Sequence, residues 1–499
     1  MKSFRRNART VFIVALALFA LLGGYFVYAL NTYGMRWQTN PYNVRVQSQK
    51  NSVIAGDIKD RNGAILVTSD DEGNRVYADS KTLRKALAHV TGDNFGLTGT
   101  GAESFFANYL LGMDAGLFEI IGNTFSGAKQ RGSDVVLTVD AELTKYAYGL
   151  LSDYSGGAIV LMNYKTGEIL LMTSAPSFDP TTADEYLPDK DGNVKEDDGA
   201  LVNRATAGKY TPGSVFKIVT AAAAIRYIPN AMELDIECGG PLAFDQETGA
   251  FLEQVKTTPE QDKENRTNPD FVPEYLYLRD YQSSYHDTLT LKQAFAKSCN
   301  VSFARLSLLL GGDKINSMAR AFGIGEEFTF SDVALYTSSY QKGSNPYETA
   351  WSAVGQHKDV MTPLNLCMIS ASIANEGVMM EPKLMKRGVN SANYITHALQ
   401  TNAYSSPLSS LEAQTMRELM EAVVENGTGT AAAISGYTVG GKTGTAQTGK
   451  EEDDAWFTGY VYDDDHPYAI AVIIEEGGSG GKVAAPIARK VLKKAIELG

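Results

Sequence analysis

The sequence predicts an α+β protein: an antiparallel sheet flanked by helices, preceded by a smaller α+β domain and a single transmembrane helix. Three observations carry this. Lys2, Arg5, Arg6 and Arg9 precede the run Val11–Leu30, which holds no charged residue. The stretch GGAIVLMNYKTGEILLMTSAP is two apolar runs around a polar, glycine-containing turn. Three strand patterns and a helix close the chain, with helical patterns between the two sets of strands. Strands at both ends of one unit, with helices in its middle, fit one sheet that joins the ends and carries helices on its faces.

The first element follows from membrane dimensions. A run of about twenty apolar residues is enough to cross a bilayer. Its basic flank should stay inside, which makes 1–10 a cytoplasmic tail, 11–30 the transmembrane helix and everything after it extracytoplasmic. The run exceeds the usual signal-peptide core and no A-x-A site ends it, so a retained anchor is expected. Asn31–Lys50 is polar and reads as a stalk. Ala55–Ser69 alternates in strand fashion around an Asn62-Gly63 turn. Short strands and helices continue to about Ser155, which sets an N-terminal α+β domain at 31–155 and a second domain at 156–499.

The second domain opens on the hairpin, with its turn at Asn163–Gly167. A polar, acidic stretch, Phe178–Gly199, reads as a flexible loop. Ser214–Tyr227 is an alanine-rich helix of the buried kind. Gly239–Asp287 is again polar. Helices are expected at Thr290–Ser298, Val301–Leu310 and Asp313–Phe322, the last with Asp313 as N-cap and Gly323 near its C-cap. Thr362–Glu376 and Ser410–Asn426 are further helices. Strands Tyr437–Thr448, Ala455–Tyr462 and Tyr468–Glu475 follow, with a turn at Asp463–Pro467, and helix Ala485–Leu498 ends the chain.

Composition removes several function classes. A net charge of −13 without a basic stripe argues against nucleic acid as a partner. Three scattered cysteines (Cys238, Cys299, Cys367) imply no disulfide framework. Five histidines (His89, His286, His357, His397, His466) show no ligand spacing, so neither a metal nor another cofactor is expected. No histidine follows the one G-x-S-x-G match, Gly477–Gly481, as a hydrolase elbow would require; it reads as a flexible glycine turn.

What remains is serine chemistry with lysine as base. The pattern S-x-x-K occurs four times: Ser126/Lys129, Ser214/Lys217, Ser339/Lys342 and Ser479/Lys482. About two are expected by chance in such a chain. Three sit in loops. Only Ser214 follows a Pro-Gly turn and opens a helix, where positions three apart share a face. Lysine acts as a base only when neutral, and the apolar Val215, Phe216, Ile218 and Val219 supply burial toward that end. The amide of Ser214, at a helix start, is free to face a developing oxyanion. Two more short motifs stand in suitable places. Ser298-Cys299-Asn300 lies between two helices, and Lys442-Thr443-Gly444-Thr445 lies on the first of the late strands. Their decoys, Ser391–Asn393 and Lys165–Gly167, fall in a polar loop and at a hairpin tip.

In the order S-x-x-K, S-x-N, K-T-G, these residues make the chain resemble a class B penicillin-binding protein. NPYNVRV, GDIKDRNGAIL, LTVDAELTKYA, TGEILLMTSAPSFDP, NRATAGKYTPGSVFK and VVENGTGTAAAISGYTVGGKTGTAQ are similar to the wording of that family over nearly the whole length. The resemblance implies the penicillin-binding/serine β-lactamase-like transpeptidase fold at 156–499, with a non-catalytic, pedestal-like domain at 31–155. It implies that Ser214 opens the D-Ala–D-Ala bond of a peptidoglycan stem peptide, with Lys217 as general base. Ser298 would relay the proton, with Lys442 nearby. Asn300 would hold the substrate amide, and Thr443 and Thr445 its carboxylate region. The amides of Ser214 and Thr445 would form the oxyanion hole. β-Lactams would acylate Ser214. The implied partner of the N-terminal domain is a membrane-embedded glycan polymerase of the SEDS family. In GQHKDVMTPL, Gly355 and Gln356 match the family's G-Q-G but His357 does not. Cys299, in the middle of S-x-N, reads as a small buried residue.

Four other readings are weaker. A β-lactamase would need a water-activating carboxylate, for which Glu326 and Glu327 are candidates by position alone. A D,D-carboxypeptidase would share the acyl-enzyme but release it to water. A β-lactam sensor would need cytoplasmic machinery. A non-enzymatic scaffold would have lost a motif residue, and none is lost.

Overall fold

The computed structural model describes residues 2–38, 53–113, 130–187, 199–268, 271–281 and 284–499. Its first helix runs Lys2–Gln38, and the segment Arg9–Ala29 within it has a mean hydropathy of 2.4, long and apolar enough to cross a membrane. The expected stalk therefore begins as a continuation of that helix; the rest of it lies outside the described residues.

A five-stranded antiparallel sheet forms the centre of the larger part. Its order is Thr438–Ala446, Asp454–Tyr462, Tyr468–Glu475, Gly156–Asn163 and Ile169–Ala175. The two ends of the unit meet where Ile159 pairs with Val472. Successive side chains point to opposite faces, and both faces are covered. Ile159, Leu161, Ile470 and Val472 face the terminal helix Ala484–Leu498, with Ala488 and Val491. Val160, Met162, Ala469 and Ala471 join the other core, with Leu364 and Met368 of the helix Pro363–Ala374. That helix is buried at every residue, which its run of small and apolar side chains permits.

A second sheet of six strands has the order Ile395–Ala398, Met385–Val389, Asp134–Leu137, Ile58–Lys59, Ile65–Ser69 and Arg75–Tyr77. Four of its strands come from the N-terminal part, and two from far along the chain. The hairpin 385–398 thus completes the N-terminal sheet, with Gly388 paired to Val135. Sequence patterning assigned this stretch to no element.

Most helix ends obey their capping residues. Thr290, Thr362 and Ser409 each accept a backbone N–H from the first turn. Asp313 does not cap its helix. The helix runs Gly312–Ala321 with Gly311 at the cap, and Asp313 sits in the first turn, paired with Lys342 at 2.6 Å. The expected helix Ser214–Tyr227 is also divided. A tight 3₁₀ turn, Gly213–Phe216, precedes the α-helix Lys217–Tyr227. The loop expected from Phe178 starts ordered: Asp179 caps the turn Pro180–Tyr186 and takes two bonds of 2.8 Å from Arg84.

Candidate active site

Ser214 is placed by glycine and by the edge of the five-stranded sheet. Gly213 has φ +56°, and a Cβ there would come within 2.6 Å of Thr445 O. Its N–H donates to Gly355 O at 2.8 Å, while a Cβ on Gly355 would lie 1.9 Å from Gly213 O. Two glycines in contact therefore let the turn press against the Lys442 strand. The indole of Trp456, one strand further in, donates to Thr211 O at 3.1 Å and holds the approach to that turn.

Lys217 starts the helix that follows, and its side chain is wholly buried. Its Nζ lies 2.6 Å from Ser298 O, 2.6 Å from Asn300 Oδ1, 3.1 Å from Ser214 Oγ and 3.3 Å from Ser298 Oγ. A neutral amine has two hydrogens and one lone pair. The two oxygens at 2.6 Å are acceptors only and take both hydrogens, which leaves the lone pair for a hydroxyl, and Ser214 Oγ at 3.1 Å is nearer than Ser298 Oγ at 3.3 Å. Burial pushes the Lys217 ammonium down to about 8, against an opposing pull from Asp280. The Phe303 ring closes the pocket, 5.6 Å from Nζ.

Ser298 ends the helix Leu291–Lys297 in the left-handed conformation, φ 58°, and Cys299 caps the helix Asn300–Leu310. This sharp junction turns the Ser298 carbonyl and hydroxyl toward both lysines. Lys442 Nζ donates to Ser298 Oγ at 2.9 Å and to Thr443 O at 3.0 Å. Lys442 is also fully buried. Desolvation, with the like charge of Lys217 added, holds it well below the ordinary lysine range. Asn300 Nδ2 donates to Arg279 O at 3.0 Å, and its N–H bonds Asp280 Oδ1. Asn300 is thus a clamp on Lys217 as well as a candidate for substrate.

The Lys442 strand brings the remaining residues. Thr443 Oγ1 lies 2.5 Å from Thr428 Oγ1, and Thr445 Oγ1 accepts from Gly480 N at 3.4 Å. Gly444 has no room for a side chain: a Cβ would lie 2.9 Å from Val215. The glycine turn Gly477–Gly481 is therefore part of the site's wall.

The structure joins Ser214, Lys217, Ser298, Asn300, Lys442 and Thr443 through the contacts above; Gly444 and Thr445 abut the Ser214 turn. The competing matches are dispersed. Lys342 is paired with Asp313, Lys165 with Asp464, and Ser479 lies in the glycine turn; Ser126 and Lys129 are outside the described residues. Glu326 is bound to Arg320 at 2.6 Å. Thr428 and Asp280 were not anticipated. Thr428 lies within VENGTGTA, where only its contact with Thr443 reveals a role, and Asp280 sits in a polar stretch with no local pattern. Cys299 is buried as expected, but among polar groups: its Sγ lies 3.0 Å from Asp280 Oδ2.

Such a site, with a half-exposed serine, a buried lysine poised near neutrality and a second serine–lysine pair behind it, defines a serine acyltransferase. The sequence profile described as Penicillin binding protein transpeptidase domain matches residues 157–227 and 249–493, and the chain belongs to that family. Among its relatives is the Peptidoglycan D,D-transpeptidase PbpA of Mycolicibacterium smegmatis, 29% identical over 100% of this chain and 99% of that one. The Peptidoglycan D,D-transpeptidase MrdA of Acinetobacter baumannii is 28% identical over 72% of this chain and 53% of its own. Penicillin-binding protein A of M. tuberculosis, solved as a ceftriaxone acyl-enzyme complex, superposes with a TM-score of 0.74 at 26% identity, over 90% of this chain and 99% of that one.

Proposed function

We propose that this protein is a membrane-anchored peptidoglycan D,D-transpeptidase that works through an acyl-enzyme on Ser214. The carrying observation is the hydrogen bonding of Lys217: two acceptors at 2.6 Å consume its N–H groups, and of the two hydroxyls left for its lone pair Ser214 Oγ at 3.1 Å is nearer than Ser298 Oγ at 3.3 Å.

Ser214 Oγ attacks the carbonyl carbon of the D-Ala–D-Ala peptide bond while Lys217 takes the hydroxyl proton. The amides of Ser214 and Thr445 stabilise the oxyanion; the Lys442 strand is the sheet's edge, so alternate amides face away from its neighbour. The proton reaches the leaving amine through Ser298 Oγ, which Lys442 orients, and D-Ala departs. Asn300, Thr443 and Thr445 hold the donor strand. An amine of a neighbouring stem peptide then attacks the ester, a new peptide bond forms, and Ser214 regains its proton. β-Lactams, as acylating mimics of the donor, stop at the ester.

The basic residues before Arg9–Ala29 support a cytoplasmic N-terminus, a single pass and an extracytoplasmic catalytic part. The N-terminal domain, 31–155, is read as non-catalytic, and its partner as a SEDS-type glycan polymerase, from the family resemblance.

The test is to incubate the full chain with a labelled penicillin and locate the adduct by peptide mass spectrometry. The adduct is expected on Ser214 and absent from Ser214→Ala. An adduct elsewhere, or labelling that survives the substitution, refutes the assignment. Turnover of a D-Ala–D-Ala peptide with and without an acceptor amine then separates a transferase from a carboxypeptidase.

A further inference from the structure

The outer sides of two helices, Ala141–Leu151 and Ala484–Leu498, line a groove of about 1210 Å³, with the loop 433–435 as a further wall. The terminal helix covers one face of the five-stranded sheet through Ile487, Ala488 and Val491, while Ile218 and Val219, next to Lys217, belong to the core on the other face. The groove and the nucleophile's helix are thus on opposite sides of the sheet. Each helix shows the groove the stripe that it does not bury. The terminal helix buries Val491, Leu492 and Ala495 and presents Arg489, Lys490, Lys493 and Lys494. The shorter helix presents Lys145, Tyr146, Gly149 and Leu150 at the same spacing, which keeps each set on one helical face.

Charge and shape both point to what fits there. The chain carries a net charge of −13, yet five cations line this groove against two carboxylates. Both carboxylates are engaged: Glu142 lies 2.8 Å from Lys494, and Glu497 lies 4.0 Å from Lys493. Lys145, Arg489 and Lys490 are exposed and pair with no carboxylate among the described residues. Between the cations the floor is apolar and incomplete. Tyr146 is 38% exposed. Gly149 stands inside a helix, where glycine is less stable than alanine. No positive φ calls for it, and a Cβ there would meet nothing within 4 Å. Packing within the described chain therefore does not require this glycine. The absent side chain opens the floor to another helix, since the distance between helix axes is set by the side chains at their contact.

We propose that the groove between Ala141–Leu151 and Ala484–Leu498 docks an acidic amphipathic helix of a partner protein, seated over Gly149 and held by Lys145, Arg489 and Lys490. The partner's apolar stripe covers Tyr146 and Leu150, and its carboxylates meet the three free cations on either wall, a helix-in-groove mode of recognition. A lipid surface is flat on this scale and does not fill a cleft between two helices. Nothing in this docking uses Ser214, so the two assignments stand or fall separately.

The test uses the full chain in nanodiscs of neutral lipid, with empty nanodiscs as the blank. The probe is a fluorescein-labelled peptide of about four helical turns, leucine on one face and glutamate on the other, read by anisotropy. Micromolar binding is expected, weakened about tenfold by high salt. The triple variant Lys145→Glu/Arg489→Glu/Lys490→Glu is expected to weaken it about tenfold or more. Gly149→Leu changes no charge and fills the floor; it is expected to melt no lower than the wild type and to weaken binding about tenfold. Both variants should keep the wild-type rate of acylation by penicillin, which reports an intact fold. Any one of four results overturns the proposal: a wild type that does not bind the peptide, either variant binding it undiminished, an all-glutamate or a leucine–lysine peptide binding as tightly, or vesicles of anionic lipid binding in the peptide's stead.

Discussion

Lys217 makes a quantitative forecast about pH. With its ammonium pushed to about 8, the neutral base is about one-tenth of the population at pH 7, half at pH 8 and nine-tenths at pH 9. The second-order rate of acylation by a penicillin should therefore rise about tenfold from pH 7 and level off above pH 9. A lysine at its ordinary 10.5 would still be climbing tenfold per unit at pH 9. The difference of about 2.5 units favours the neutral amine by about 3 kcal/mol. Linkage fixes the companion sign. The unfolded chain protonates this lysine near 10.5 and the folded one near 8, so stability falls as pH drops between those values and is level below them. The perturbation is Lys217→Arg, which keeps a cation but removes the titrating base; acylation should fall about 10²–10⁴-fold and lose the pH 8 inflection. The assay is stopped-flow acylation with a fluorescent penicillin from pH 6 to pH 10. A flat wild-type profile, one with no plateau by pH 10, or an arginine variant of undiminished rate would each refute the lone-pair argument.

Three further outcomes are expected. Gly355→Ala must place a Cβ 1.9 Å from Gly213 O at φ +82°, so melting should show a loss of about 2–4 kcal/mol and acylation should drop with it; an unchanged melting temperature contradicts this. Thr428→Val removes the partner at 2.5 Å from Thr443 Oγ1. It should weaken turnover of a D-Ala–D-Ala peptide about fivefold, equivalent to about 1 kcal/mol, with the fold unchanged by circular dichroism. His89 is buried with Nε2 2.9 Å from Ala200 O, and burial pushes it down to about 4. The unfolded chain protonates it near 6.5, so the wild type should lose about 2.5 kcal/mol between pH 7 and pH 4.5, and His89→Gln should show less of that loss in urea midpoints at the two pH values.

Local signals were the legible ones. Two apolar runs around Asn163–Gly167 are a hairpin, the last three strands fall within a residue or two of their patterns, and Thr290 and Thr362 start helices as their side chains dictate. The clustering of Ser214, Lys217, Ser298, Asn300 and Lys442 was legible because two of the motifs mark helix starts and the third lies on a strand pattern. What escaped is long-range. Asp313 was a reasonable cap on propensity, but the chain turns at Gly311, φ +75°, and starts the helix two residues earlier. The hairpin at 385–398 has a polar, half-exposed pattern, and its meaning comes from the strand it joins, Asp134–Leu137. Asp280 and Thr428 act through partners 20 and 15 positions away, beyond any periodicity.

The pairing of Ile159 with Val472 has a consequence for biogenesis. The strands Asp454–Tyr462 and Tyr468–Glu475 lie between the strand that carries Lys442 and the hairpin at 156–175. During synthesis Ser214 is made more than two hundred residues before the Lys442 strand, and closing so distant a contact is slow. A chain that lacks Tyr468–Glu475 cannot join the Lys442 edge to the hairpin through the sheet. The sheet that carries Lys442 is therefore joined to the opening hairpin only once Tyr468–Glu475 has been made and paired, which sets the assembly of the site late in the making of the chain.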